Sequence, residues 1–158
     1  MSLRRSVGAL LGLMWLGAML APPALLHAQS SDLVVIVNQS SKVTKLNATQ
    51  LYDIFTSARR TWSDGQRVMG FNMPPRSQAR TQFDRAVLQR EPEQVARFWV
   101  DQRVRGGARA PRSVSKASLI LRLVETAKGA IGYVPESSIK ERKVRVVARI
   151  VGKEVKAP

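Results

Sequence analysis

Residues 32–38 read Asp-Leu-Val-Val-Ile-Val-Asn, an unbroken apolar run of strand length, rich in β-branched side chains. A strand with one wet face alternates apolar and polar positions; one that does not alternate is covered on both faces. The run therefore predicts a strand inside a sheet with helices on either side, and it places Leu33 to Val37 in the middle of that sheet. The following segments fit this frame. A polar turn, Gln39-Ser40-Ser41-Lys42, precedes Asn47, which has Gln50 three residues on, the spacing of a capping box. The helix it opens puts Leu51, Ile54 and Phe55 on one face. Trp62-Ser63-Asp64-Gly65 reads as a turn and Arg67 to Asn72 as a second strand, closed by Pro74-Pro75.

Ser77 opens a second helix with Ala79, Phe83 and Val87 inward, and Pro92 a third with Val95, Phe98 and Trp99 inward. The third ends near Gly106-Gly107. A fourth helix, Lys116 to Thr126, turns Leu119, Ile120, Leu123 and Val124 to the core. Ala130 to Val134 is a short apolar strand, and Lys143 to Val151 alternates as an edge strand does. Strands alternating with helices imply an α/β fold: a single three-layer αβα lobe around a mixed, mostly parallel sheet. The domain is placed at residues 30–152, with 153–158 as a loose tail.

The first 28 residues differ in kind. Arg4 and Arg5 precede an apolar stretch from Val7 to Leu20, and Leu26-His27-Ala28 supplies a small residue before Gln29. That is the pattern of a secretory signal peptide cleaved after Ala28, and the stretch falls short of the roughly 20 residues a membrane span needs. A soluble, periplasmic product beginning at Gln29 is expected. Intact-mass measurement of exported material tests it; full-length mass in the membrane fraction would overturn it.

Cleavage leaves 130 residues, enough for one self-sufficient core. It also removes the single histidine, His27, from a chain with no cysteine. A Ser-His or Cys-His nucleophile pair and a His/Cys metal site are then impossible. Glu91 and Glu93, the one close carboxylate pair, stand at a helix start where they complement the dipole. The expectation is a non-enzymatic protein with no cofactor. Loss of Arg4 and Arg5 lowers the net charge from +15 to +13, with 16 Arg and 8 Lys remaining. Such an excess attracts anions. Nucleic acid is the weakest candidate among them, because export removes it and no exposed aromatics interleave with the basic residues.

The segment with the most chemistry is Phe71 to Phe83, where a strand ends, the chain turns and a helix begins at Ser77. A helix start offers free backbone N–H groups and a partial positive charge, which suits an anion. Arg76 and Arg80 flank that start, where cations oppose the dipole unless an anion lies between them. The candidate oxyanion site is Arg76, Ser77, Gln78, Ala79 and Arg80. The alternative is a simple N-cap at Ser77 with both arginines in solvent. Trp62, Trp99 and Tyr133 fit core positions better than a site. Gly106-Gly107 with Arg105 and Arg109 reads as a solvated loop, or else as a second basic loop near the same sheet edge.

Five pieces of the chain occur in a particular order: the strand ending Val37-Asn38, Leu51-Tyr52-Asp53-Ile54-Phe55, Trp62 with Asp64-Gly65, the helix start from Ser77 to Phe83, and Gly129-Ala130-Ile131-Gly132-Tyr133-Val134. In that order they resemble the phosphate-binding proteins of ABC transporters, with the type 2 periplasmic-binding-protein fold. The resemblance covers about 100 residues and is to one lobe of that two-lobed family. It implies a solute-binding module for phosphate or a related oxyanion, working with a membrane transporter or sensor protein. In the family the equivalent helix start reads Arg-x-x-x-Ser-Gly-Thr. Here Ser77 matches the serine, Gln78 and Ala79 replace the glycine and threonine, and Met73 stands at the arginine position. This erosion and the single lobe leave a second function open, a ligand-free interaction or sensory module for a membrane-embedded partner.

Overall fold

The structure, a computed structural model, describes residues 32–158. The signal peptide expected at residues 1–28 and its cleavage point lie outside the described residues. The uniformly apolar run forms β1 (Leu33–Asn38), and every residue in it is buried. Further strands are β2 (Met69–Asn72), β3 (Arg112–Ser113), β4 (Ala130–Pro135), β5 (Val144–Val151) and β6 (Glu154–Lys156), in the sheet order β3-β2-β4-β1-β5-β6. The expected central place of Leu33 to Val37 is what the structure shows. Leu33, Val35 and Val37 face one core, while Val34 and Ile36 face the other. Helices α1 (Ala48–Phe55), α2 (Gln78–Phe83) and α3 (Pro92–Val104) lie on the first side, and α4 (Ala117–Thr126) covers the second. Among the described residues no helix is long and apolar enough to cross a membrane.

The sheet is mixed, as expected, but it is not mostly parallel. β2 runs parallel to β3 and β4, whereas β1 is antiparallel to both β4 and β5, and β5 to β6. β2, β3, β4 and β5 share one sense, and β1, inserted between β4 and β5, and β6 at the edge run the other way. Residues 143–151 also do not form the edge. Gly152 adopts φ +60 and opens a two-residue hairpin turn, for which a first-position glycine is favoured. The chain beyond it, expected as a loose tail, is strand β6, with Val155 opposite Ile150 and packed on the core.

The helices begin as their caps dictate. Asn47 accepts from the Gln50 amide and Gln50 returns the bond to the Asn47 amide, a complete capping box. Leu51, Ile54 and Phe55 are buried as expected. In α4 the inward residues are Ile120, Leu121 and Val124, with Leu123 half-buried; Leu119, expected inside, is 42% exposed. Ala117, Ile120, Leu121 and Val124 are spaced i, i+3, i+4, i+7 and form the packed face, which leaves Leu119 on the flank. In α3 only Val95 is fully buried; Phe98 and Trp99 are half-buried, edge to face against each other.

Candidate functional site

β2 delivers the chain to the candidate site. The turn after it is closed by the Ser77 amide, which donates to the Pro74 carbonyl oxygen (3.2 Å), with Pro75 and Arg76 at the two inner positions. Arg76 has φ +66, the left-handed conformation a type II turn requires at its third residue and that glycine adopts most easily. A side chain held there costs on the order of 1–3 kcal/mol, a strain typical of ligand-contacting turns. Its guanidinium is exposed and forms no ion pair among the described residues.

Ser77 is the N-cap of α2. Its hydroxyl accepts from the Arg80 amide (3.2 Å) and donates to the Pro74 carbonyl (2.8 Å), so both of its capacities are engaged within the turn. Gln78 and Ala79 hold the first two amides of the helix, which have no carbonyl one turn earlier to bond. Those amides and Arg76 share one turn.

Arg80 is separated from that group. Its Nε meets both carboxylate oxygens of Asp84, at 2.8 and 2.9 Å, one turn along the helix. The pair is buried, 11% and 3% exposed at the side chains. Burial outweighs the guanidinium and holds the Asp84 carboxyl above the usual carboxylate range. Asp84 starts a π-helical stretch, Asp84–Leu88, that continues α2 and ends at Gln89 in the left-handed region. Sequence reasoning passed over Asp84. Its i, i+4 spacing from Arg80 was the available signal.

Beneath the turn an aromatic cluster fixes the helix against the sheet. Phe83 stacks on Tyr133 (centroids 3.8 Å, interplanar 5°) and Phe55 meets both edge-on. The Tyr133 hydroxyl, whose pKa burial pushes far up, accepts from the Met73 amide at 3.3 Å. A core tyrosine thus holds the backbone two residues after β2's Phe71. Trp62 is also core, 7% exposed, with its indole N–H donating to the Gly129 carbonyl at 3.0 Å. The Asn38 side-chain amide donates to the carbonyls of Val124 and Glu125, both at 2.8 Å, and so closes the end of α4.

The second basic loop does not join the α2 start. Residues 106–111 lie over the end of α1 and the beginning of β2, tied down where the Ser57 hydroxyl donates to the Arg109 carbonyl (3.1 Å). Arg109 lines the groove formed there; Arg105 does not.

An αβα lobe with an exposed strand–turn–helix at the end of a parallel strand belongs to the open α/β sheets, the class of folds in which ligands sit beyond strand ends. Comparison with solved structures makes it particular. An ABC-type phosphate transport receptor from Vibrio cholerae matches 75% of this chain and 47% of its own at 21% identity, with a TM-score of 0.58. A phosphate ABC transporter substrate-binding protein with bound phosphate from Clostridium perfringens matches 75% and 45% at 18%, TM-score 0.60. PstS from Borrelia burgdorferi matches 74% and 47% at 15%, TM-score 0.59. The chain therefore shares its fold with part of the phosphate ABC transporter substrate-binding proteins, and it spans about half the length of those it matches. No family model matches the chain, and no curated protein sequence matches it.

Proposed function

We propose that the mature chain is a periplasmic, non-catalytic solute-binding-protein-like module that takes phosphate or a related oxyanion weakly at the start of α2, in the service of a membrane transporter or sensor. The observation that carries this reading is Arg76 held at φ +66 beside the open amides of Gln78 and Ala79. The fold shared with a phosphate transport receptor and with a substrate-binding protein that holds phosphate supports it. Weakness follows from the same geometry. The Ser77 hydroxyl bonds within its own turn, and the charge of Arg80 is matched by Asp84.

Calorimetry of the purified protein against phosphate and sulfate, at low and at physiological salt, tests the reading. Saturable, phosphate-selective binding that persists at an ionic strength where the Debye length is about 8 Å is expected, because diffuse attraction to a +13 surface would be screened. Arg76→Ala is expected to weaken binding about tenfold to a hundredfold, the value of one charge-assisted bond. Arg145→Ala, on β5, where the guanidinium donates to the Gln39 carbonyl, leaves it unchanged. Arg80→Ala acts differently: it leaves Asp84 buried and unpaired, so it is expected to cost about 3–5 kcal/mol of stability with no specific effect on phosphate.

The Arg80–Asp84 pair also favours a second reading, in which the lobe has given up its ligand and serves as an interaction or sensory module for a membrane-embedded partner. No detectable phosphate binding in the parent protein would decide for it.

A further inference from the structure

The α3–β3 loop, the end of α1 and the entry to β2 enclose a groove of about 640 Å³. Five arginines line it, Arg59, Arg60, Arg67, Arg109 and Arg112, and no carboxylate does. Among the described residues none of the five forms an ion pair, although Arg80, Arg85, Arg142 and Arg149 elsewhere on the chain all do. Like charges gathered without counter-charges repel one another, so the arrangement carries a standing electrostatic cost that an anion in the groove would remove.

The groove is also pre-shaped. The Nε atoms of Arg59 and Arg60 donate to the Thr61 and Ser57 carbonyls, at 3.3 and 3.4 Å. Their terminal Nη atoms bond nothing among the described residues. Arg59 lies over the Trp62 ring, 5.9 Å from its centre. The loop is fixed from both sides. Gly107 donates to the Gln102 carbonyl (2.8 Å) and has no room for a Cβ against Gln102, while Pro111 stands 3.1 Å from where a Cβ on Gly70 would be.

From this juxtaposition we infer that the groove is a second anion site, separate from the α2 start, that takes a compact polyanion of the condensed-phosphate class. The volume falls in the range of small-molecule sites, about 300–1,000 Å³. Guanidinium forks match phosphoryl oxygens in pairs. One orthophosphate carries at most about two charges and engages one or two forks, whereas five forks spread around a groove call for linked phosphoryl groups. An acidic peptide places one carboxylate per residue along roughly 3.3 Å of chain, a lower charge density than linked phosphoryl groups offer. The site stands or falls independently of the reading at Ser77.

The test is calorimetry of the purified protein with sodium tripolyphosphate at about 0.15 M salt, with orthophosphate and hexaglutamate as comparison ligands. Saturable binding of one tripolyphosphate per chain, at least tenfold tighter than orthophosphate, is expected. Arg67→Gln and Arg109→Gln each weaken it about tenfold or more. Arg97→Gln, an exposed position on α3 outside the groove, leaves it unchanged. Thermal melts confirm that all three variants fold, since each changes an exposed side chain. Absence of saturable binding, equal loss in Arg97→Gln, or hexaglutamate bound as tightly as tripolyphosphate would overturn the proposal, the last by making the groove a seat for an acidic peptide.

Discussion

Val35→Asp is expected to abolish folding of the described domain. Val35 has no exposed surface, lies on the fourth of six strands, and pairs with Tyr133 on one side and Ala148 on the other. Its side chain points into the larger core with Leu33, Phe55 and Tyr133. An unpaired charge in such a place costs several kcal/mol even after the group protonates or water penetrates. The whole stability of a domain this size is about 5–15 kcal/mol. Circular dichroism is expected to show loss of the folded signal at room temperature and of the cooperative transition on heating. An unchanged melting temperature would mean that β1 is peripheral and the architecture wrong.

The second large effect concerns Gly129. A Cβ built on it would collide with the backbone carbonyl oxygen of Arg67, and backbone cannot swing aside as a side-chain tip does. The same residue's carbonyl accepts from the Trp62 indole and from the Met69 amide, so a shift there pulls on β2 and on the α1–β2 connection together. Gly129→Val is expected to destabilise by more than the about 1–3 kcal/mol of ordinary overpacking. Gly65 is the control. It has φ +81 but open space around its Cβ position, so Gly65→Ala bears only the conformational cost, about 1 kcal/mol. Urea melts of the two variants give the comparison. Equal losses would mean that the close approach of the Gly129 and Arg67 backbones is not what requires a glycine there.

Much of this architecture is legible in the chain because local chemistry and tertiary structure agree. The unbroken run at Leu33 could only be a doubly covered strand, and Asn47 with Gln50 caps a helix before any packing is known. Strand direction was not legible. An apolar run carries no sign of which way its neighbours run, and the antiparallel pairing of β1 with β4 is fixed by contacts across the sheet. Strand β6 escaped for a related reason: Glu154-Val155-Lys156 has one apolar residue, and only β5 beside it makes a strand of it. At the candidate site, the helix start at Ser77 was readable from capping chemistry, but the fate of Arg80 was not. Whether an arginine meets an anion or a carboxylate of its own helix depends on the depth to which that helix is buried. The groove arginines are scattered from position 59 to position 112 and share no local pattern; the fold alone collects them.

The place of β1 has a bearing on when the molecule can come into being. It is the earliest strand along the chain, yet its hydrogen-bonding partners on both sides, β4 and β5, are about a hundred residues downstream. During synthesis at about 5–20 residues per second, this wholly buried strand waits with both edges open for several seconds. A chain of this kind stays unfolded until nearly its last strands have emerged, and so remains threadable through a narrow channel for almost the whole of its synthesis. Ribosome-bound chains halted before Val144 are expected to be fully protease-sensitive, and those extended past Lys156 by a linker that clears the exit tunnel to be resistant. Late completion leaves this apolar strand exposed for a period set by the chain's own topology.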